Sequence, residues 1–198
     1  GRLALEKSAL LRILIAMFAS DQNANPQQDS FEKSYPLLLG IVNKEDVVEA
    51  ANLLGQVEQG LKQAEEELSN FYKKHGHDKA YFESNESLDL DVDVLEEFYK
   101  LDNNFKDLSV ANLRLSKYFQ TLEEVNKHLE DGEDVEDAKK RLQKLQEKDA
   151  EEIAKPQVQL EISKAIGEEL LAMKKKYGKD FKDKKVKMDD VLERVYEK

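Results

Sequence analysis

The sequence predicts an all-α protein: an elongated antiparallel bundle of about three long, coiled-coil-like helices, with a short N-terminal helical hairpin and a short C-terminal helix. Charged residues make up 37% of its 198 residues, and it contains eight Gly and three Pro, a balance typical of long solvated helices. Apolar residues also recur at alternating steps of three and four along much of the chain. That spacing is the period of helices that pack side by side.

The first long helix is predicted over residues 43–75. Its apolar seam follows alternating steps of three and four residues: Val47, Ala50, Leu54, Val57, Leu61, Ala64, Leu68 and Phe71. Asn43 is a suitable N-cap, and the His75–Gly76 pair is a suitable end. Gly55 and Gly60 each cost a helix about 1 kcal/mol relative to Ala, so they either admit a closely packed neighbour, which we favour, or mark a soft point.

The second long helix, predicted over residues 94–130, has the longest seam in the sequence: Val94, Phe98, Leu101, Phe105, Leu108, Asn112, Leu115, Phe119, Leu122, Asn126 and Leu129. Asp93 and Glu96 form an acidic capping box that predicts the start, and Gly132 predicts the end. Three more apolar residues lie beside the seam at steps of seven: Ala111, Tyr118 and Val125. Because they widen the apolar stripe, we expect this helix to contact more than one neighbour.

A third helix is predicted over residues 134–177, beginning with the apolar residues Val135, Ala138, Leu142 and Leu145. Pro156 interrupts it, and since neither Gly nor Asn accompanies this proline, we expect a kink or a brief break and not a chain reversal. Gly178 is expected to end the helix, and a short amphipathic helix is predicted over residues 188–196. Residues 88–94 alternate strictly, as a lone edge strand or an extended lead into the second helix would.

The N-terminal residues 8–28 combine an apolar run with a polar tail, as a signal peptide does. The run has eleven residues, fewer than the about 20 of a membrane-spanning helix. Arg12 also lies inside the run, where a cleavable signal carries no charge. We therefore expect a buried helix here, with a signal remnant and a membrane-surface helix as the alternatives.

We expect one helical-bundle domain over residues 1–198. It would consist of the N-terminal hairpin (1–42), the long-helix bundle (43–177) and a basic C-terminal extension (178–198). The compartment is left open. The sequence is compatible with the cytoplasm, and a targeting segment upstream of Gly1 would instead place the protein in the periplasm or at a surface.

We interpret no residue pattern in the sequence as a catalytic, cofactor or metal site. Cys is absent, which excludes disulfides and thiol chemistry. His75, His77 and Asp78 have ligand-type side chains, yet the chain contains three His in all, which favours an exposed hinge over a zinc site. Residues 89–93 imitate half of a calcium loop, but Lys100 stands where that loop requires Glu. We therefore predict a protein without enzymatic activity, metal or cofactor.

The C-terminal part carries a basic cluster that we predict to be the interaction patch. Residues 174–187 contain eight Lys and two Asp in a chain of net charge −11; the lysines are Lys174, Lys175, Lys176, Lys179, Lys182, Lys184, Lys185 and Lys187. One interpretation is a solvated helix end, where cations complement the helix dipole. The other is attraction to an anionic surface, either acidic lipid headgroups or an acidic protein face.

This architecture indicates a non-enzymatic, protein-binding helical bundle that acts as a scaffold, adaptor or assembly subunit. We expect a protein partner, no transmembrane segment, and contact with a membrane surface only through the lysine cluster. Homo-oligomers are compatible with the long helical faces, whereas the negative net charge makes nucleic acid a poor partner. The alternative function is that of a surface or periplasmic protein, lipid-tethered upstream of Gly1, that binds host or envelope components.

Overall fold

The computed structural model describes residues 36–197, and these form helices and turns without any β-strand. Within this part of the chain, five α-helices follow one another: α1 (Lys44–His75), α2 (Lys79–Glu83), α3 (Val92–Glu130), α4 (Val135–Tyr177) and α5 (Met188–Glu197). Shorter 3₁₀ helices occupy Leu38–Gly40, Asn85–Asp89 and Gly178–Lys184. The predicted all-α bundle class is therefore confirmed. The signal-like stretch at residues 8–28 and most of the predicted hairpin lie outside the described residues.

The helices begin and end largely where the sequence predicts. After α3, Gly132 adopts a φ of 98°, and its N–H and that of the next residue donate to carbonyl oxygens of the last helical turn, both at 3.0 Å. This pair of bonds is the Schellman motif, which requires a left-handed residue and therefore favours glycine. Gly76 closes α1 with the same pattern. At the start of α1, the predicted N-cap Asn43 accepts a hydrogen bond from the Glu45 N–H at 3.0 Å.

α4 continues through Pro156 as one helix of 43 residues. Of the two outcomes predicted at this proline, the brief break is not formed. Ile153 and Leu160 are buried on either side of Pro156, and their packing offsets the backbone hydrogen bond that the proline removes. The helix ends at Tyr177, and Gly178 has a φ of 53°, as expected for a C-terminal glycine.

The chain divides into two compact units. The described part of the first unit consists of residues 36–61 and Leu108–Lys155. The second consists of Lys62–Asp107 and residues 156–197. The long helices α1, α3 and α4 thus each contribute a segment to both units, and the single domain predicted over 1–198 stays a prediction.

Within each unit, α3 and α4 run antiparallel, because later residues of α3 contact earlier residues of α4. In the first unit the pairs are Lys117 with Glu152 and Thr121 with Asp149. In the second unit they are Glu96 with Lys175 and Asp107 with Lys164, each at 2.6 Å. The antiparallel arrangement of these two helices agrees with the prediction.

The predicted seams are largely the buried faces of the helices. On α1 all seam residues are buried except Leu61, which is half-buried. On α3 no residue between Leu101 and Phe119 is exposed, in agreement with the expected contact with more than one neighbour. The seam prediction is wrong at Val135, which is 49% exposed. Val135 is the first residue of α4, so no preceding helical turn covers its side chain.

The buried core of the second unit includes residues from segments for which no helix was predicted. Phe82 comes from α2, Leu88 from the 3₁₀ helix before α3, and Phe181 from the 3₁₀ helix after α4. All three pack with aromatic and aliphatic side chains of the long helices: Phe71, Leu95, Phe98, Tyr99, Leu170, Met173 and Val191.

Residues 88–94 do not form the edge strand that was one of the two predictions for them. Leu88 and Asp89 instead end the 3₁₀ helix Asn85–Asp89, in which the buried Ser87 hydroxyl donates to the carbonyl oxygens of Phe82 and Ser84 at 3.0 and 2.8 Å. α3 then begins at Val92, two residues earlier than predicted. Asp93 therefore lies in the first turn of the helix and does not precede it.

Candidate functional site

The predicted lysines lie in the second unit, on the end of α4, the 3₁₀ helix Gly178–Lys184 and the turn that leads into α5. Seven of the eight are exposed: Lys175, Lys176, Lys179, Lys182, Lys184, Lys185 and Lys187. Phe181, in the middle of this segment, is 4% exposed and belongs to the core. The lysines are therefore carried by a turn that is anchored to the unit.

Lys174 has a structural role that its sequence position does not reveal. Its ammonium donates to the backbone carbonyl oxygens of Leu88 and Leu90 and lies 4.8 Å from the ring centre of Phe181. Burial lowers the pKa of Lys174, while neighbouring aspartates act in the opposite direction. This ammonium links the 3₁₀ helix Asn85–Asp89 to α4 through hydrogen bonds. We therefore exclude Lys174 from the candidate surface.

Residues 83–97, which contain seven acidic residues and no basic one, contact the basic cluster inside the second unit. Lys175 pairs with Glu96 at 2.6 Å, and the Met188 N–H donates to the side-chain oxygen of Asn85 at 2.8 Å. Part of the charge separation along the sequence is thus cancelled on folding. What remains exposed and positive is the segment that follows Lys175.

Three cations from three elements converge on Tyr177. The ammonium groups of Lys176 and Lys184 lie 5.6 and 5.2 Å from the ring centre, within the range of cation–π attraction. Arg194 of α5 lies beside the phenol oxygen, and its hydrogen-bonding capacity and charge, followed by the lysine charges, lower the pKa of Tyr177. Arg194 also lies 3.9 Å from the Glu169 carboxylate.

We call the exposed cations of this region the basic surface; they are Lys176, Lys179, Lys182, Lys184, Lys185, Lys187 and Arg194. Exposed aspartates are interleaved with them: Asp180, Asp183, Asp189 and Asp190. The last of these caps α5, since its carboxylate accepts a hydrogen bond from the Lys187 N–H at 2.9 Å. Arg194 was missed in the sequence because one Arg on a ten-residue helix forms no pattern, and only folding places it beside Tyr177.

The two histidines at the end of α1 make structural contacts. The His77 ring stacks on Tyr81 with 3.6 Å between ring centres, and the His75 ring lies 4.5 Å from Phe71. A shallow, open hollow beside His77 is lined by Tyr72 and Asp78 among others. Across residues 36–197, no three His, Asp or Glu side chains are grouped so that they could hold a metal ion.

An ion pair within α3 of the second unit has a buried carboxylate and also contacts α4. Asp102 is 3% exposed and pairs with Lys106 at 2.7 Å, and the same ammonium contacts the Ser163 hydroxyl at 2.6 Å. Burial, followed by the Asp102 charge, raises the pKa of Tyr72 and Tyr99 to about 12. Because both charges of the pair are compensated, we interpret Asp102 as a structural residue and not as an acid or base for catalysis.

None of the helices within residues 36–197 has the length and apolar character needed to cross a bilayer. Comparison with known proteins gave no match: no family model, no curated protein and no solved structure is similar to this chain. The basic surface is therefore the feature from which a function is inferred.

Proposed function

We propose that the protein is a non-enzymatic binding protein that presents its basic surface to an acidic segment of a protein partner. The observation that supports this most directly is the fixed presentation of the cations. Phe181 is buried in the core beneath them, and Lys174 and Asn85 hold the two ends of the segment in place. A surface that is already ordered loses less conformational entropy on binding than a free lysine tail would.

An acidic protein segment fits this surface better than a lipid membrane does. The interleaved aspartates would be repelled by a uniformly negative lipid surface, whereas a polypeptide can place its own charges to match an alternating pattern. Residues 176–187 also expose no large apolar side chain that could enter a bilayer. In addition, α5 carries Tyr196, which is 67% exposed, and exposed tyrosines are enriched where proteins bind one another.

The test measures binding of a fluorescein-labelled peptide of Glu, Ser and Gly by fluorescence anisotropy at several salt concentrations. The variant replaces Lys179, Lys182, Lys185 and Lys187 with Gln. A matched control removes the same number of charges from exposed lysines elsewhere: Lys62, Lys127, Lys140 and Lys144. We expect the first variant to bind at least about tenfold more weakly and the control to stay within about twofold of the wild type.

Affinity for the peptide should also fall as salt is added, since exposed charges are screened. Equal weakening in both variants, or no binding of the wild type, would overturn the proposal. Anionic phosphatidylserine vesicles form a separate arm of the experiment. If the wild type sediments with these vesicles more strongly than it binds the peptide, and if the first variant loses this sedimentation, the partner is a membrane surface and not a protein.

A further inference from the structure

We infer that Lys176, Lys184 and Arg194 form a subsite for a phosphate group carried on the acidic partner. This inference rests on the proposed function and names the chemical group recognised at one point of the basic surface. The three side chains come from α4, the 3₁₀ helix Gly178–Lys184 and α5. Their convergence on one tyrosine is produced by the tertiary structure and does not follow from a run of lysines in the sequence.

The charge balance around Tyr177 favours an anion. Two ammonium groups lie within 6 Å of the same ring centre, and a guanidinium lies beside its hydroxyl. The carboxylates that act on this guanidinium are those of Glu169, which is 3.9 Å from Arg194 and largely buried, and of Glu197. An anion bound beside this ring is attracted by all three positive charges.

A phosphate monoester matches this group better than a carboxylate does. It carries a charge of about −1.5 to −2 and three acceptor oxygens, whereas an Asp or Glu side chain supplies one charge and two oxygens. Guanidinium and ammonium groups form the strong, charge-assisted hydrogen bonds by which phosphate is recognised. In the proposed subsite, the three donors each contact a different oxygen of the phosphate.

Tyr177 is a positioning residue in this subsite. Its ring attracts the two lysine ammonium groups, and its hydroxyl lies beside Arg194. Tyr177→Phe keeps the ring and removes the hydroxyl, so it should retain part of the preference for phosphate. Lys184→Gln removes one of the phosphate donors directly. The neighbouring exposed residue supplies the matched control, Lys185→Gln.

The experiment compares two peptides that differ only in one residue, phosphoserine or serine, within the same acidic sequence. The wild type should bind the phosphopeptide about tenfold more tightly, as expected for additional charge-assisted hydrogen bonds. Lys184→Gln should reduce this preference to within about twofold, whereas Lys185→Gln, which removes one charge from the basic surface, should weaken both peptides alike and leave the preference unchanged. Equal binding of the two peptides to the wild type would overturn the phosphate subsite while leaving the proposed function intact.

If neither peptide binds, the proposed function fails. A second measurement then still tests the phosphate subsite. The ¹H–¹⁵N spectrum is titrated with inorganic phosphate and, at matched ionic strength, with acetate. Phosphate should shift the signals of Gly178 and of the Arg194 side chain more than acetate does, and Lys184→Gln should suppress the difference. Identical shifts with both anions would overturn the subsite independently of any peptide.

Discussion

The core clusters that the structure describes in the two units differ in composition. The described core cluster of the first unit is aliphatic and draws mainly on long helices: Leu38, Val47, Leu122, Val125 and Ala138. That of the second unit is rich in aromatic rings, among them Phe82 and Phe181 from short segments. Phe82 lies 5.0 Å from Phe71 and 4.8 Å from Phe98, measured between ring centres. Large rings thus allow short, irregular segments to take part in a helical core.

This difference has a functional consequence. Aromatic pairs contribute about 0.5 to 1.5 kcal/mol beyond the burial of their area, which helps to hold segments too short to be stable helices by themselves. The 3₁₀ helix Gly178–Lys184, which carries part of the basic surface, is one of these segments. In the second unit the packing of Phe181 and the position of the lysines are therefore linked.

The largest expected effects come from truncating one core residue in each unit. Phe98→Ala should cost about 3 to 5 kcal/mol, and Leu115→Ala about 2 to 5 kcal/mol, because each leaves a cavity in a packed core. Urea unfolding followed by circular dichroism measures these losses. Hydrogen exchange should then show lost protection mainly at 62–107 for the first variant and at 108–155 for the second.

Lys62→Ala, at an exposed position of α1, is the control and should change stability by no more than about 0.5 kcal/mol. The contrast between the units would be refuted by equal loss of exchange protection in both units for both variants. If Lys62→Ala lowered the free energy of unfolding as much as the two core variants do, the seam assignment would be refuted.

The sequence was sufficient to predict the long helices because helix periodicity is a local property. The seam of α1 and the Gly132 end of α3 follow from spacing and from one glycine, without knowledge of any partner element. α2, with five residues, is too short to show a period. Its position depends on Phe82 packing into the core, which is a contact between distant parts of the sequence.

Removing the buried ammonium of Lys174 should have the next largest effect. Lys174→Met keeps most of the aliphatic packing but leaves the carbonyl oxygens of Leu88 and Leu90 without this donor. We expect a loss of about 2 to 3 kcal/mol, since hydrogen bonds to charged groups are worth more than neutral ones. Hydrogen exchange at residues 85–91 should increase in the variant.

The adjacent residue provides a matched control for this variant. Lys175 is exposed and pairs with Glu96 at the surface, so Lys175→Met should cost at most about 1 kcal/mol. If the two variants were equally stable, Lys174 would be a surface lysine like its neighbours, and it would return to the candidate patch.

The candidate site could be predicted only in part. Counting charges located the basic segment, since eight lysines in residues 174–187 are an exception in an acidic chain. Lys174 does not belong to the basic surface because it is buried, and Lys175 does not because it pairs with Glu96. Arg194 belongs to it because a tertiary contact places it beside Tyr177. Such distinctions depend on which side of a helix faces the core and which elements meet, and neither is encoded in local composition.

A smaller effect is expected where Gly167 of α4 packs against Tyr99 of α3 in the second unit. A Cβ atom placed on Gly167 would lie 2.9 Å from Cγ and Cδ1 of the Tyr99 ring. Gly167→Ala should therefore destabilise the protein by about 1 to 2 kcal/mol, the cost of overpacking being reduced by the better helix propensity of Ala. Thermal unfolding with and without the substitution measures the change.

The stability change caused by Gly167→Ala should reverse its sign when the Tyr99 ring is absent. In a Tyr99→Ala background the clash no longer exists, and Gly167→Ala should stabilise by about 1 kcal/mol through helix propensity alone. A Gly167→Ala cost that is the same in both backgrounds would show that contact with Tyr99 is not what requires glycine here.

The smallest effect is expected at the Tyr99 hydroxyl, which is buried and, among the described residues, has no hydrogen-bond partner. Tyr99→Phe should stabilise the protein at neutral pH by about 1 kcal/mol, because it removes an unsatisfied polar group and keeps the ring. Tyr196→Phe, at an exposed ring, should leave stability unchanged.

Alkaline unfolding gives a second measure: burial raises the pKa of Tyr99 to about 12, from an ordinary value of 10.0. Below pH 10 the tyrosine is protonated in both states; above it the unfolded chain loses the proton first, so stability falls toward pH 12. Tyr99→Phe should make that fall shallower, and an unchanged slope would show that the hydroxyl is solvated in the folded protein.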